Sequence, residues 1–305
     1  MDSADVTYNW RTLVSGEIVL DRITLFHPRV RLEKLPGDTA WNYQYIFKDT
    51  SANQGPGSKR LVMFDDARIV NGFATVLMPL DPPEEPGDTV RIITELVNGG
   101  LARIMRFDSL NGVLKRAIWE TPLEEGRMFD VRTISGLAYV WEKPVRIRSA
   151  RGIVTMRDSV VSLEFPDVRL PSSRGSVTGR VLVQEGGNHF DLQIDLDNFA
   201  FSDMDWVYDR MPEEGGGSGS LRMQTQPRGL LFLAQNARLT TPGASLSGKL
   251  GIVVGDTVYF TEVDLRASPF DVSVIERMLP DGLPVDGIVL GTVEVKGTAA
   301  GGRVQ

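Results

Sequence analysis

The fold is decided by a stretch that is written twice between residues 168 and 297. The first copy carries VRL, SVTGRV and FDLQIDL at residues 168–170, 176–181 and 190–196, and the second carries ARL, SLSGKL and YFTEVDL at residues 237–239, 245–250 and 259–265. The copies align at a shift of about 69 residues. A repeat of this length predicts stacked supersecondary units rather than one irregular domain.

Inside each copy, apolar and polar residues alternate with the period of two that indicates half-buried β-strands. The polar positions carry aspartates, arginines, lysines and threonines. We expect one apolar face and one solvated face, as in an antiparallel sheet with water behind it. The residues predicted to form the apolar face are Val177, Val181, Val183, Leu192, Ile194, Leu196, Leu246, Leu250, Ile252, Val263, Leu265, Val289, Val293 and Val295.

Strand-like segments also recur about every ten residues between residue 89 and the first copy. Such short links predict antiparallel neighbours, because parallel strands need longer crossovers. Asn71-Gly72, Asn98-Gly99 and Asn111-Gly112 are strong signals for tight hairpin turns. The predicted fold class is mainly β: an elongated, curved antiparallel sheet, groove-like or taco-like, made of repeated β units with a few short helices.

Three short helices are predicted, at residues 8–14, 202–211 and 270–279, the last two at the same place in each copy. The proline-rich segment at residues 80–88 predicts a boundary, because it cannot continue a ladder of hydrogen bonds.

The predicted organisation therefore has an N-terminal β unit at 1–80, with a short leading helix, and a repeated β-groove region at 81–305. The repeat copies lie at about 168–224 and 237–297.

Composition excludes several classes of function. The formal net charge of −7 and the scattered basic residues argue against a nucleic-acid surface. The absence of cysteine excludes disulfides, thiolate metal sites and cysteine nucleophiles. The longest apolar run, residues 230–234, is far shorter than a membrane span. Any export signal or membrane anchor is expected to lie outside this sequence.

No constellation of residues predicts catalysis, a metal site or a cofactor. His27 and His189 have no second ligand at a suitable spacing, and the aspartates of residues 191–209 do not form a calcium loop. The glycines at residues 215–219 lack the lysine and the helix of a phosphate-binding loop, and we interpret them as a flexible link. A nucleophile elbow of the form G-x-S-x-G is also missing. We expect a non-enzymatic protein.

The residues at the N-terminal side resemble a known family. GEIVLDRITLFHPRVRL at residues 16–32, followed by Gly37 and by Trp41-Asn42-Tyr43, is similar to the N-terminal signature of AsmA-like proteins. The segment DARIVNG at residues 66–72 resembles the next element of that family. The two units ending in Met-Pro and Leu-Pro resemble later repeats of AsmA and TamB. In the usual pattern asparagine precedes tryptophan, whereas here Trp41 precedes Asn42.

This resemblance implies a periplasmic groove protein, anchored in the inner membrane in its full-length form, that carries phospholipid towards the outer membrane. The predicted partner is a phospholipid or another acyl lipid held on the apolar face. Two alternatives stay open. The chain could be a scaffold that binds outer-membrane assembly proteins through strand edges, or a closed β-sandwich that acts as a structural or carbohydrate-binding module.

Overall fold

The computed structural model describes most of the chain, and it is built almost entirely of β-strands. The described residues are 2–8, 18–38, 41–42, 62–79, 93–120, 126–140, 142–184, 187–206, 212–254, 257–271, 288–289 and 293–303. The predicted mainly β fold is confirmed. The chain divides into two compact units, Met1–Asp158 and Ser159–Gln305. The boundary predicted at residue 80 stays a prediction, because residues 80–92 lie outside the described residues.

The first unit contains strands β1 to β8. Their bounds are Ser3–Tyr8 (β1), Ile18–Phe26 (β2), Arg29–Glu33 (β3), Val62–Pro79 (β4), Ile93–Val97 (β5), Gly100–Glu120 (β6), Arg127–Tyr139 (β7) and Val145–Arg157 (β8). Tyr8 ends a strand, so the helix predicted from this residue onward does not begin there, and the rest of that prediction lies outside the described residues. The proline-rich segment at 80–88 also lies outside them.

The sheet of the first unit is mixed, which corrects the prediction of a purely antiparallel sheet. β2 and β3 lie end to end along one edge of β4 and run parallel to it. The other pairings, β1 with β2, β4 with β6, β5 with β6, β6 with β7 and β7 with β8, are antiparallel. The parallel pairing is allowed because residues 34–61, between β3 and β4, are long enough for a crossover.

Two of the three predicted Asn-Gly turns are instead irregularities inside long strands. Asn71, with a φ of 49°, and Gly72 lie in the middle of β4, and Asn111 lies in the middle of β6. The backbone N–H of Asn71 donates to Oδ1 of Asn111 at 3.0 Å, so the two irregular positions lock together. Only Asn98-Gly99 forms the predicted tight turn, between β5 and β6.

These irregular positions fall on one line across the sheet of the first unit. Register shifts occur beside Gly72 on β4, between Asp108 and Asn111 on β6, and on both sides of Ile134 on β7. His27 and Pro28 separate β2 from β3 at the same level, and the Pro28 carbonyl accepts a bond from the Phe73 N–H at 2.8 Å. Because bulges bend the strands that carry them, this line is a crease that curves the sheet.

Asn42 closes part of an open sheet edge. Its side-chain amide donates to the carbonyl of Arg31 at 2.8 Å, and its Oδ1 accepts from the N–H of Glu33 at 3.1 Å. β1 pairs only with residues of β2, so the backbone groups of Arg31 and Glu33 on β3 face away from β4, and none of the described strands lies beside them. The Asn42 side chain takes the place of that strand over one pair of backbone groups.

The second unit is an antiparallel meander, as predicted. Its strands are Val160–Arg169 (β9), Arg174–Gln184 (β10), Gly187–Ala200 (β11), Gly216–Gln226 (β12), Gly229–Thr241 (β13), Ala244–Val254 (β14), Thr257–Asp271 (β15), Ile288–Val289 (β16) and Val293–Arg303 (β17). Each strand from β9 to β15 pairs with the next one, and β15 also pairs with β16 and β17, which lie end to end along it.

The sequence repeat corresponds to a repeated hairpin. β10 and β14 have the same length, and their first residues, Arg174 and Ala244, are 70 positions apart. β11 and β15 follow them after equally short links. The predicted helices are less well matched: a 3-10 turn, Phe201–Asp203, stands where the first was predicted, and β15 continues through Asp271 where the second was predicted. Residues 204–206 form a bend and a turn, and residues 207–211 and 272–279 lie outside the described part.

Gly179 and Gly248 occupy equivalent places in the two hairpins and have the same unusual backbone. Their φ angles are 139° and 132°. A Cβ atom at Gly179 would overlap the carbonyl oxygen of Asp191 on β11, and one at Gly248 would overlap the carbonyl oxygen of Asp264 on β15. Both positions therefore require glycine for two reasons, the backbone angle and the close approach of the next strand.

We expect Gly179→Ala to lower the free energy of unfolding by about 1–3 kcal/mol, because alanine is strained at this φ and displaces β11. Urea denaturation followed by circular dichroism measures the change. Gly112→Ala is the matched control, because a Cβ atom there meets its nearest neighbour at 3.5 Å, an ordinary contact. Equal stabilities of the Gly179 variant and the parent chain would contradict the requirement for glycine.

Candidate apolar trough

The register of the second unit brings apolar side chains from different strands into rows. In one row Val177 lies opposite Ile194, Ile194 opposite Leu221, Leu221 opposite Ala234, and Ala234 opposite Leu250. Residues that lie opposite each other in neighbouring strands point to the same face of a sheet. This row therefore crosses five strands, β10 to β14, on one side, which we call the apolar face.

All residues predicted from the alternation fall on this face by register. They lie on β10 (Val177, Val181, Val183), β11 (Leu192, Ile194, Leu196), β14 (Leu246, Leu250, Ile252), β15 (Val263, Leu265), β16 (Val289) and β17 (Val293, Val295). For β16 and β17 the placement rests on backbone register alone. The side chains on β10, β11, β14 and β15 are half-buried, apart from Val183, which is exposed.

The apolar face is wider than the sequence predicted. Val161, Leu163 and Phe165 on β9 lie opposite residues of β10, and Leu221 and Met223 on β12 join the two repeat copies. Their signal was present in the sequence, since they alternate with Ser162, Glu164, Arg222 and Gln224. The prediction did not include them, because they lie outside the segments of the sequence repeat that match between its two copies.

A row of small residues crosses the middle of the apolar face. Gly175 on β10 and Gly219 on β12 flank Leu196 on β11. Ala237 and Gly248 lie opposite each other on the next two strands, β13 and β14. Register shifts accompany this row in β11, β13 and β15, where Asn236 and Glu262 have φ angles of 51° and 53°. Leu196 on β11 and Leu265 on β15 lie in the same row, so small and large side chains alternate along it and the small residues do not form a continuous furrow.

The opposite face of the second unit is polar and is tied together across strands. Arg222 on β12 pairs with Asp191 on β11 at 3.2 Å, and Lys249 on β14 pairs with Glu262 on β15. The Ser220 hydroxyl donates to Asp195 at 2.6 Å, and the Gln193 amide donates to the same carboxylate at 2.9 Å. Solvated, paired charges behind an apolar face make the sheet strongly two-sided.

One buried cluster interrupts this polar face. Leu231, Leu233 and Val253 are buried and pack with Tyr259. By register they point away from the apolar face, since the neighbouring residues Phe232 and Ile252 belong to it. The uninterrupted apolar run at residues 230–234 explains this arrangement, because such a run supplies apolar side chains to both faces of β13.

The glycine-rich segment is a strand and not the flexible link that was predicted. Gly216 to Gly219 begin β12 and pair with β11 and β13. Cβ atoms at Gly216 and Gly217 would overlap the carbonyl oxygens of Phe199 and Arg238. The glycines are therefore needed because neighbouring backbones approach closely here.

The described residues contain no group of three or more His, Asp or Glu side chains placed to hold a metal ion. His27 lies in the bend between β2 and β3, where its Nδ1 is 3.0 Å from a carboxylate oxygen of Asp2. His189 is an exposed residue near the start of β11. Both positions agree with surface histidines.

Among the helical residues that the structure describes, none forms a helix long and apolar enough to cross a membrane. Comparisons of the chain with protein-family models, with curated proteins and with solved structures give no match. The contrast between the apolar face and the polar face is therefore the main structural indication of function in the second unit.

Hydrogen bonds from Ser220 and then Gln193 hold the pKa of Asp195 below its usual value of 3.8, against an opposing effect of burial. A lowered pKa in the folded state stabilises the fold above the unfolded-state value, and this contribution is lost as the pH falls through the folded-state pKa. We expect Ser220→Ala to raise the pKa of Asp195 and to reduce that loss of stability in acid. Carboxyl carbon NMR titration measures the pKa directly.

Ser247→Ala is the control for this titration, because Ser247 lies on the same polar face but opposite Arg266. It should leave the Asp195 pKa unchanged. A Ser220→Ala variant with the parental pKa would show that the hydroxyl does not stabilise the carboxylate.

Proposed function

We propose that this chain is a non-enzymatic lipid carrier whose apolar face shields the acyl chains of a phospholipid. The observation that carries the proposal is the continuity of the apolar face from β9 to β17 within the second unit. The described strands of this unit all belong to one sheet, so no second described sheet of the unit covers the face. This arrangement favours a trough over the closed-sandwich alternative.

The dimensions of the face support an acyl ligand. From β9 across to β17 the sheet is eight strands wide, and neighbouring strands are about 4.8 Å apart, so the face extends for about 34 Å. The hydrocarbon core of a bilayer is about 30 Å thick. A row of this length accommodates the full acyl chain of a membrane lipid.

The free-energy cost of exposing an acyl chain to water also supports an acyl ligand. Holding about sixteen methylenes in water costs over 10 kcal/mol, at about 0.8 kcal/mol for each one. Half-buried valine, leucine and isoleucine side chains remove most of this cost without a specific contact. The face has no charged residue among its paired positions from Val177 to Leu250, which is the condition for a dry path.

The cellular setting of the proposal comes from the resemblance to AsmA-like and TamB-like proteins. In that setting the chain works in the periplasm, held at the inner membrane by an anchor outside this sequence, and passes phospholipid towards the outer membrane. The order of the paired Trp41 and Asn42 departs from the usual pattern of the family, but Asn42 makes two backbone bonds to β3. The motif thus has a structural role here in its altered order.

We expect Leu250→Asp to abolish lipid capture, because a carboxylate on the apolar face keeps water and raises the cost of placing methylenes beside it. The measurement is native mass spectrometry of the purified chain, together with transfer of fluorescent phospholipid between vesicles. A drop of at least about tenfold in transfer rate is the expected result, since one buried unpaired charge costs several kcal/mol.

Ser247→Asp is the matched control, because it adds the same charge to β14 on the polar face, opposite Arg266. It should bind and transfer lipid like the parent chain. Equal transfer by the Leu250 and Ser247 variants, with both folded by circular dichroism, would refute the proposal.

A further inference from the structure

A second apolar feature lies in the first unit, at the end of the hairpin formed by β5 and β6. We call residues 96–101 the hairpin tip. Leu96 lies opposite Leu101, and Val97 lies opposite Gly100. Asn98 and Gly99 form the turn with φ angles of 52° and 79°, the backbone that a tight two-residue hairpin requires. The tip is thus a rigid turn flanked by a cross-strand pair of leucines.

The two leucines are unusually exposed for their type. Leu96 is 72% exposed, the highest value among the exposed large apolar residues of the described part, and Leu101 is 48% exposed. Residues 96–102 carry no charge, and Glu95 and Arg103 are the first charged residues on either strand. Leu96 and Leu101 are adjacent across the two strands, beside an uncharged turn, and are therefore not isolated exposed apolar side chains of the kind common on soluble surfaces. The tip is a candidate contact surface.

A second turn packs against the hairpin close to its end. A Cβ atom at Gly100 would overlap the ring of Pro36, at 2.6 Å from its Cβ, so this ring lies directly against the Gly100 backbone. Pro36 belongs to a turn in which the Asp38 carboxylate accepts from the N–H of Leu35 at 2.9 Å. The contact is made at the pair next to the hairpin turn, and Leu96 and Leu101, one pair further from that turn, remain exposed.

The small size and convex shape of the tip favour a lipid bilayer over a protein as its partner. A stable protein interface buries about 800 Å² on each side and needs a complementary surface, which two side chains on a convex turn do not provide. A bilayer adapts to a small convex tip and needs only that apolar groups enter it. From the turn to Glu95 the strand rises about 10 Å, at about 3.4 Å per residue, which agrees with the 5–10 Å depth of interfacial insertion.

We propose that the hairpin tip inserts into the interfacial region of a lipid bilayer, with Leu96 and Leu101 among the upper acyl carbons and Glu95 at the headgroups. The insertion is apolar and does not rely on basic residues. Binding is therefore expected to zwitterionic phosphatidylcholine vesicles and to change little with salt. This surface belongs to the first unit, whereas the apolar face belongs to the second, and the two proposals rest on different residues.

The test is flotation of the full chain with phosphatidylcholine vesicles. We expect Leu96→Asp with Leu101→Asp to lower the vesicle partition coefficient by at least about tenfold, because two exposed apolar side chains no longer leave water. The control is Val6→Asp with Val30→Asp, which removes two other exposed apolar side chains, each 46% exposed, and adds the same charge. The control should change partition by less than about twofold.

The tryptophan fluorescence of the Leu96→Trp variant reports insertion directly. Its fluorescence should shift to the blue with vesicles, and lipids brominated near the headgroup should quench it. Unchanged partition of the double variant, or equal loss in the control, would overturn the proposal. A parent chain that self-associates without vesicles, and a double variant that does not, would also overturn it by assigning the tip to a second copy of the chain.

The outcome is independent of the proposed carrier function. Leu250→Asp should retain full vesicle partition while it loses lipid transfer, and the double variant at the tip should still hold lipid in native mass spectrometry. Failure of one proposal therefore leaves a distinct signature from failure of the other.

Discussion

The structure depends on the alternation of side chains along every strand being kept in step from one strand to the next. A single extra residue in one strand moves every later side chain to the opposite face. In the second unit the extra residues fall at the same level: beside Leu196 in β11, at Asn236 in β13 and at Glu262 in β15. Each extra residue is absorbed by a local bulge, so β11, β13 and β15 stay in step with β10, β12 and β14, which carry no extra residue at this level. Leucine and valine side chains therefore stay on the same side before and after the bulges, and the apolar face is continuous.

The first unit also has strand irregularities at one level, and different residues form them. Its crease uses His27-Pro28, Asn71-Gly72 and Asn111. Where backbone pairing is interrupted, the Asn111 side chain accepts from the backbone N–H of Asn71 and donates to the carbonyl of Ser109. Asn-Gly pairs favour hairpin turns because both residues accept a positive φ. The bulge in β4 has the same requirement at one position, and Asn71 meets it with a φ of 49°. In β6 the positive φ falls on Ser109, at 53°, and Asn111 contributes its side chain instead. The Asn-Gly sequence favours a particular backbone angle. The pairing of β4 with β6 determines whether the chain continues as a strand or turns back.

The sequence was sufficient to predict the mainly β fold, the antiparallel meander of the second unit and the common face of the repeat residues. These depend on the period of two, which each strand carries by itself. It was not sufficient for the parallel pairing of β2 and β3 with β4 or for the role of Gly216 to Gly219, because both depend on partners distant in the sequence. The members of the face on β9 and β12 have the same alternation, but they join the face only through pairing with β10 and β11, which the sequence repeat does not specify. The exposure of Leu96 could not be predicted, since alternation does not distinguish a covered apolar side chain from an open one.

The side chain of Asn42 has a consequence for the behaviour of the molecule in a crowded solution. An open strand edge is a template on which another chain can add a strand, and repeated addition leads to fibres. The amide of Asn42 donates one hydrogen bond to Arg31 and accepts one from Glu33, as the backbone of a neighbouring strand would. It satisfies these two groups without offering a further strand edge beyond them. The side chain thus blocks strand addition at this pair of backbone groups.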